Sequence, residues 1–498
     1  MNVAFRQLFR WQWFLYLCCG WIPLGAPGAA GAQPLSLAQC LALALEQSPQ
    51  TQRNRQSLER SQLQLQAQRA PFEPRLQLNM TLPSYVDNRQ LLVNEALSSR
   101  VRDENTALQY LGSLELSQRV RSLGRFTLSS QSQLYDFSSN RQAPYRDYRG
   151  DLALGYSQSL FAQPAEEVSL AQAELGLAGA RLNFGRAQFQ LEAQVTQAYY
   201  ALVSVRSRLD IDRQTLERSR VSLELARRKV EVGFLDETEA LRLEVDMLQA
   251  EASYTRTQSN IERARDRLRE VLGVDWDQPL EVEGLPEGAF QKYPISLEKA
   301  VAMGLSRRPD LQASLLDEES QRLSLRSVRS QTGPTATLNA TVGLRGQGDK
   351  LSDVHQRLER NQWGMNIQVR APLIDGGARR SQVRQQELAL EQLQTNQELL
   401  RQSIVLQIRD AVNSLKEAER QIELSQAALS VAEKTFAREQ QRFDLGLSRS
   451  QDMLIAQGQL TSARTNALDA RIGYYLQIDN LRQATTAELS ELVEVPGN

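Results

Sequence analysis

Apolar residues recur every seven positions along two long stretches of the chain. In the first half these positions are Val195, Leu202, Leu209, Leu216, Leu223 and Val230. In the second half, 213 residues further on, they are Ile408, Leu415, Ile422, Leu429, Phe436 and Phe443. A seven-residue repeat keeps one narrow apolar stripe facing a partner helix, which is coiled-coil geometry. The pattern restarts after Gly233 and after Gly446, so it predicts two long helical hairpins, over residues 165–272 and 377–484.

Between the helices, apolar residues alternate with polar ones, which is the two-residue period of a strand with two different faces. Four segments alternate, with apolar positions at Leu76, Leu78, Met80 and Leu82; Leu152, Leu154, Tyr156 and Leu160; Ala336, Leu338, Ala340, Val342 and Leu344; and Trp363, Met365, Ile367 and Val369. They predict strands within about 73–161 and at about 334–346 and 362–374. Each run is near ten residues, which suits a tilted membrane-barrel strand, and a soluble sandwich with one wet face shows the same alternation.

Two further segments, residues 113–120 and 126–137, also have a strand-like pattern. They belong to a stretch between about 83 and 150 that is extra in the first half of the chain. The stretch forms either an extra hairpin or a long loop outside the barrel plane, and the pattern leaves both alternatives open.

The chain contains two copies of one structural unit. Pro34-Leu35-Ser36-Leu37 is matched 260 residues later by Pro294-Ile295-Ser296-Leu297. Because self-similarity at a fixed offset indicates a repeat, we place the first repeat at residues 33–275 and the second at 294–485. Residues 276–293 are then a linker or equatorial region, and residues 486–498 are a C-terminal tail.

Residues 1–32 have the parts of a secretory signal peptide. Two arginines come first, an apolar stretch covers residues 11–24, and Ala30-Gly31-Ala32 is a small-residue cleavage site. Cleavage removes Cys18 and Cys19, and lipidation is not expected because a leucine precedes Cys18. Cys40 is then the single cysteine, which predicts a small apolar residue of the first helix and no internal disulfide.

Composition narrows the class of protein. The chain has 498 residues, a formal net charge of −1 and a mean hydropathy of −0.44, so it is not a bundle of membrane-spanning helices and shows no sign of binding nucleic acid. Its one histidine, His355, falls in the loop between the last two predicted strands and builds no triad or multi-histidine site. With no phosphate-binding glycine loop or nucleophile motif in the sequence, we predict no enzyme activity, no catalytic residue, no cofactor and no metal.

Four strands are too few for a membrane barrel, which needs about eight or more. Open strand edges in lipid leave backbone groups unpaired, at a cost of several kcal/mol each. If the strands enter a membrane, several chains must therefore share one barrel, and three chains would supply twelve strands. The pattern therefore predicts a mainly α fold, with a duplicated unit of strands and a long coiled-coil hairpin and about four strands per chain in a shared barrel.

Several motifs, by their order and duplication, resemble the TolC-like outer-membrane efflux proteins. A Ser-Leu-x4-Ala-x2-Leu-x3-Pro start covers Ser36–Pro49 and Ser296–Pro309. Ala371-Pro372-Leu373-Ile374-Asp375-Gly376-Gly377 stands at the second strand-to-helix junction, and the helical tips contain Val232-Gly233-Phe234 and Leu445-Gly446-Leu447. The resemblance covers nearly the whole mature chain.

The resemblance implies a homotrimer in the outer membrane of a Gram-negative-type cell, with a twelve-stranded barrel against outer-membrane lipid and a helical tunnel in the periplasm. It implies the passive exit duct of a tripartite efflux or type I secretion system. The partners would be a periplasmic adaptor (membrane fusion) protein and an inner-membrane pump or ABC exporter. Adaptor contact at the tips would open the channel, and the docking candidates are Val232, Gly233, Phe234, Leu445, Gly446 and Leu447.

Acidic residues beside the tips are candidates for the periplasmic entrance. Where TolC has two aspartates one turn apart, this chain has Asp452 and then Ile455. Glu239 stands at the equivalent place in the first repeat, with Asp236 beside it. A carboxylate repeated around a symmetry axis concentrates negative potential in a narrow opening. The alternative for Asp452 is an ordinary solvated acid on a helix surface.

A second hypothesis is a periplasmic coiled-coil adaptor or scaffold protein without a membrane barrel. It accounts for the signal peptide and the long helices. It does not account for the alternating strands or for their duplicated order before each helical hairpin.

Overall fold

The computed structural model describes residues 34–94, 99–140, 143–285, 290, 292–350, 352, 354 and 358–493. Its helices include α1 (Leu37–Gln47), α2 (Pro49–Arg69), α3 (Ala165–Glu231), α4 (Glu237–Leu272), α5 (Leu297–Arg307), α6 (Pro309–Gln331), α7 (Ala378–Asp444), α8 (Ser450–Thr485) and α9 (Leu489–Leu492). The predicted signal peptide and His355 lie outside the described residues.

The two long hairpins are α3–α4 and α7–α8, and each joins a helix of 67 residues to one of 36 residues. At 1.5 Å per residue the longer helix spans about 100 Å. The seven-residue stripe is the face that packs, since it supplies the buried residues Val195, Leu202, Leu216, Leu223, Ile408, Leu415, Ile422, Phe436 and Phe443. The predicted fold, mainly helical and duplicated, is confirmed.

Within the described ranges, no helix combines the length and the apolar character that a membrane crossing needs.

The strands form one antiparallel sheet in the order β1-β2-β3-β4-β5-β6. They are β1 (Arg75–Asn94), β2 (Ser99–Val120), β3 (Gly124–Ser139), β4 (Tyr145–Ser159), β5 (Thr335–Gly348) and β6 (Glu359–Arg370). The two repeats meet where β4 of the first pairs with β5 of the second. In the described part of the chain, β1 pairs only with β2 and β6 only with β5, so each outer strand has one unpaired edge.

The described sheet has six strands where the sequence predicted about four. The difference is the hairpin β2–β3, which pairs with β1 on one side and with β4 on the other. Of the two alternatives for the stretch 83–150, the structure therefore shows the extra hairpin, and it lies inside the sheet. The strand predicted at 362–374 runs instead from Glu359 to Arg370. Its early end fits Pro372, two residues later, which has no N–H for a strand ladder.

The apolar core lies where the short helices of each repeat pack against the long ones. Cys40 of α1 packs in one cluster with Val195 of α3, and Ala300 of α5 packs in another with Ile408 of α7. Burial raises the pKa of the Cys40 thiol to about 11, so this side chain stays neutral and acts as a small apolar group. These clusters fix the middle of the molecule and leave the hairpin tips and the sheet at its two ends.

Candidate functional site

Each helical hairpin ends in the same glycine turn. Gly233 has φ of +77° and Gly446 has φ of +75°, a backbone region that residues with a Cβ rarely adopt. In both tips the residue after the glycine donates its N–H to the carbonyl oxygen five positions earlier, at 2.8 Å. This is the Schellman motif, and it ends each long helix at an equivalent place in the two repeats.

Large apolar side chains project from both tips. The exposed fractions are 65% for Val232, 85% for Phe234, 74% for Leu445 and 68% for Leu447. Exposed apolar groups that cluster at one extremity indicate an interaction surface. The predicted docking candidates are therefore placed together at the end of the molecule that is farthest from the sheet.

The two tips of one chain are joined side by side. Lys229 of α3 donates from Nζ to the carbonyl oxygen of Phe443 in α7 at 2.5 Å, and Nζ lies 4.4 Å from the centroid of that ring. Ser450, at the start of α8, donates its hydroxyl to the carboxylate of Glu239 in α4. Phe443 is 1% exposed and packs in a cluster with residues from both hairpins: Leu223, Ala226, Ala240, Leu243 and Met453. The tips are therefore held as one unit.

Two of the three candidate entrance acids, Asp236 and Glu239, form hydrogen bonds with residues of the tips. Asp236 is the N-cap of α4, and the hydroxyl and the N–H of Thr238 both donate to its carboxylate. These hydrogen bonds, the hydroxyl's first, lower the pKa of Asp236 below its usual value. Glu239 accepts the Ser450 hydroxyl and lies 3.3 Å from Nη1 of Arg242. Asp236 therefore caps α4, and Glu239 helps to join the two tips.

Asp452 is placed differently from the other two acids. It is exposed in the first turn of α8, and its carboxylate makes no hydrogen bond or ion pair with any residue that the structure describes. An acid at this position also interacts favourably with the positive end of the helix dipole. In the ranges described, no group of three or more His, Cys, Asp or Glu residues is arranged to hold a metal ion.

A buried polar cluster joins the two hairpins about 20 Å from the tips, at 1.5 Å per helical residue. Gln457 of α8 donates from Nε2 to Oγ of Ser219 in α3 at 2.7 Å and to Oδ2 of Asp246 in α4 at 3.1 Å. Ser219 in turn donates to Asp246 at 2.6 Å. Such a cluster fixes the register between packed helices, because a shift would leave buried polar groups unpaired.

The sheet has one apolar and one polar face, and both run across all six strands. Residues directly opposite each other in the ladder form one exposed apolar row: Leu76, Leu116, Leu128, Leu154, Val342 and Trp363. The next row, on the other face, contains Arg75, Ser117, Thr127, Gly155, Thr341 and Gly364. The members of the apolar row are between 40% and 73% exposed, so none of the residues that the structure describes covers that row.

Sequence patterns did not reveal the contacts between the hairpins. The heptad pattern included Phe443, but nothing in it points to Lys229, 214 positions away. Ser219 is a polar residue beside the apolar stripe, and nothing in its spacing points to Gln457, 238 positions away. The role of Asp236 had a local signal, because an Asp two residues before a Thr at a helix start is typical of an N-cap.

The family model described as outer membrane efflux protein matches residues 301–487. The outer membrane protein TolC of Vibrio cholerae serotype O1 is 22% identical over 350 residues, which is 70% of this chain and 80% of that protein. These two matches confirm the resemblance that the repeated motifs indicated.

Solved structures share the fold over nearly the whole chain. The outer membrane protein VceC of Vibrio cholerae has a TM-score of 0.69 at 17% identity, covering 91% of this chain and 96% of VceC. The outer membrane channel CmeC of Campylobacter jejuni has a TM-score of 0.69 at 15% identity, covering 93% of this chain and 87% of CmeC. The combination of strand sheet and long helical hairpins is thus an architecture found in outer-membrane channels.

We predict that Lys229→Met loosens the junction between the tips. Methionine keeps an apolar stem but loses the hydrogen bond and the cation–π contact to Phe443, together about 1–2 kcal/mol. Amide hydrogen exchange at both glycine turns should therefore become roughly ten-fold faster. The control is Arg228→Met, because Arg228 is exposed and its ion pair is with Glu224 of the same helix. Unchanged exchange in Lys229→Met would contradict this role for the lysine.

Proposed function

We propose that the chain is an outer-membrane efflux protein of the TolC-like family, which the match to the family model and to TolC supports, and that three copies form the passive exit duct of a tripartite efflux or type I secretion machine. The duct lies in the outer membrane and extends into the periplasm. It performs no chemistry: a water-filled lumen lowers the barrier for polar or amphipathic cargo, and an inner-membrane pump or ABC exporter supplies the energy. The observation that carries the proposal is the pair of unpaired sheet edges, on β1 and β6.

The sheet edges support assembly because one chain leaves both of them open. Its apolar row suits contact with lipid, where each unpaired backbone group costs several kcal/mol. Pairing β6 of one subunit with β1 of the next removes every edge and keeps the apolar face outside and the polar face toward the lumen. The second hypothesis, a periplasmic adaptor or scaffold, would leave an apolar row across six strands exposed to water, which is unfavourable.

The long helices have uncovered stripes that match the open sheet. Since α3 packs against both α4 and α8, and α8 packs against α7, the outer helices of the set are α4 and α7. Exposed apolar residues line both outer helices: Leu241, Val245 and Leu248 on α4, and Leu388, Leu399, Leu406, Leu424 and Val431 on α7. Val245 lies two residues from the buried Leu243, which is about 200° around the helix. Each stripe therefore faces away from its own subunit, as a seam between neighbouring subunits requires.

The tips are the proposed site of adaptor docking and of the entrance. Val232, Phe234, Leu445 and Leu447 are the exposed apolar groups there, and a periplasmic adaptor would cover them. Gly233 and Gly446 shape the turns that present these side chains. Because Lys229 and Phe443 join the two tips, adaptor contact would move both hairpins of a subunit together and widen the entrance. Asp452 of three subunits would then line that entrance.

We predict that Leu248→Glu weakens the trimer, because it would place a carboxylate without a partner in each subunit seam. Mass photometry of the detergent-extracted protein should show a trimer fraction at least about ten-fold lower at equal protein concentration, which is a change of about 1.4 kcal/mol or more. Ser253→Glu is the matched control, since Ser253 is exposed and about 140° from Leu248 around the same helix. An undiminished trimer fraction for Leu248→Glu would show that this stripe is not the seam.

We predict that Asp452→Asn reduces the cation preference of the channel. Three carboxylates would leave the narrowest section, so the reversal potential across a planar bilayer in a salt gradient should fall toward zero. Asp469→Asn is the control, because Asp469 is exposed on the same helix about 25 Å farther from the tip. If both variants keep the selectivity of the wild type, Asp452 does not line the entrance.

A further inference from the structure

The hairpin β2–β3 continues both faces of the sheet that flanks it. Its apolar residues Leu116 and Leu128 stand directly between Leu76 of β1 and Leu154 of β4 in one ladder row. On the opposite face, Ser117 and Thr127 continue the polar row. The exposed apolar residues of the hairpin also include Leu114 and Phe126. A hairpin surrounded by water would be expected to place polar residues at these positions. The apolar row of β2 and β3 instead continues that of β1 and β4 without a break.

The turn of this hairpin is fixed at the end of the sheet where the strands meet the helices. Arg119 and Arg125 place Nη2 at 3.2 Å and 2.6 Å from Oε1 of Glu166, in the first turn of α3. The N–H of Ser122 donates to Glu167 at 3.2 Å. These contacts hold β2 and β3 at the same level as the strands that lead into the helices.

The first residue of β3 is packed too closely against β4 for the hairpin to swing outward as a separate flap. Gly124 has φ of +98°, and a Cβ there would lie 2.5 Å from the carbonyl oxygen of Ser157. Thirteen residue pairs of β3 and β4 then follow in unbroken register, from Arg125 opposite Ser157 to Phe137 opposite Tyr145. The hairpin is therefore an integral part of the sheet along the full apolar band.

We propose that β2 and β3 are part of the barrel wall, and that the barrel holds eighteen strands, six from each subunit, in place of twelve. The inference rests on the trimer of the proposed function. At a strand spacing of about 4.8 Å and a tilt of about 40°, twelve strands give a barrel radius of about 12 Å and eighteen give about 18 Å. Barrels of this larger class leave an aqueous channel.

The wider wall changes which part of the duct selects cargo. After subtracting about 5 Å on each side for inward side chains, eighteen strands leave an opening of about 25 Å, more than twice the 10–12 Å diameter of an α-helix with side chains. Exit through the membrane then places no limit on drug-sized cargo or on an unfolded polypeptide. Size selection is left to the helical entrance near the tips.

The barrel radius is measured by the distance between identical sites on three subunits. The mature full-length protein in lipid nanodiscs would carry one spin label at Val342→Cys in a Cys40→Ala background, because Val342 is exposed on the apolar face. With an outward label arm of about 6 Å, pulsed dipolar spectroscopy should give about 42 Å for eighteen strands, against about 31 Å for twelve.

Each outcome of the distance measurement has a separate meaning, provided that the particle mass is measured on the same sample. A trimer with the longer distance supports the inference. A trimer with the shorter distance overturns the eighteen-stranded wall and leaves the proposed duct intact. A monomer mass overturns the duct, and the inference with it.

Lipid contact of the hairpin provides an independent test. A bimane label at Leu128→Cys should be quenched by brominated acyl chains as strongly as one at Leu154→Cys on β4, which is the reference. Ser129→Cys, the next residue and on the polar face, should keep its fluorescence. Quenching at Leu154 without quenching at Leu128 would overturn the inference, because it would place the hairpin outside the lipid.

Discussion

The unpaired backbone N–H and C=O groups along the two edges of the sheet are the constraint on which this structure depends. Six strands form a continuous ladder, yet among the described residues β1 and β6 each leave one edge open and nothing covers the apolar row. Lipid satisfies an apolar face and leaves backbone N–H and C=O groups unpaired. Only other strands satisfy an edge, which is why the proposed duct needs more than one chain. The exposed stripes on α4 and α7 set the same requirement for the helices.

The two long helices, α3 and α7, connect the sheet to the helical tips without a break. Each 67-residue helix is clamped near its middle by the apolar clusters around Cys40 and Ala300. Nearer to the tips, the buried cluster of Gln457, Ser219 and Asp246 fixes the register of the two hairpins. At the tip, Lys229 and Phe443 join them again. These contacts join the two hairpins, so we expect a movement of one tip to carry the other tip with it.

Local periodicity predicted the helices and four strands because their apolar residues follow the spacing of the faces that they bury. The hairpin β2–β3 was harder to recognise, since β3 contains the polar run 129–133, which hides the alternation on either side. Its position in the sheet depends on ladder bonds to β1 and β4, and those are set by pairing rather than by composition. The contact between Lys229 and Phe443 likewise joins positions 214 residues apart, which no local pattern specifies.

Closure of the sheet by a neighbouring copy is the central claim, and disulfide trapping across the edges tests it most directly. A cysteine at Leu78 of β1 would be combined in turn with one at Met365, Ile367 or Val369 of β6, all on the apolar face, in a Cys40→Ala background. Paired antiparallel strands bring facing residues to 4.5–5.5 Å, within disulfide reach. The account predicts that one register gives intermolecular bonds and a ladder of products that ends at three chains. Disulfides within single chains, or none in any register, would contradict it.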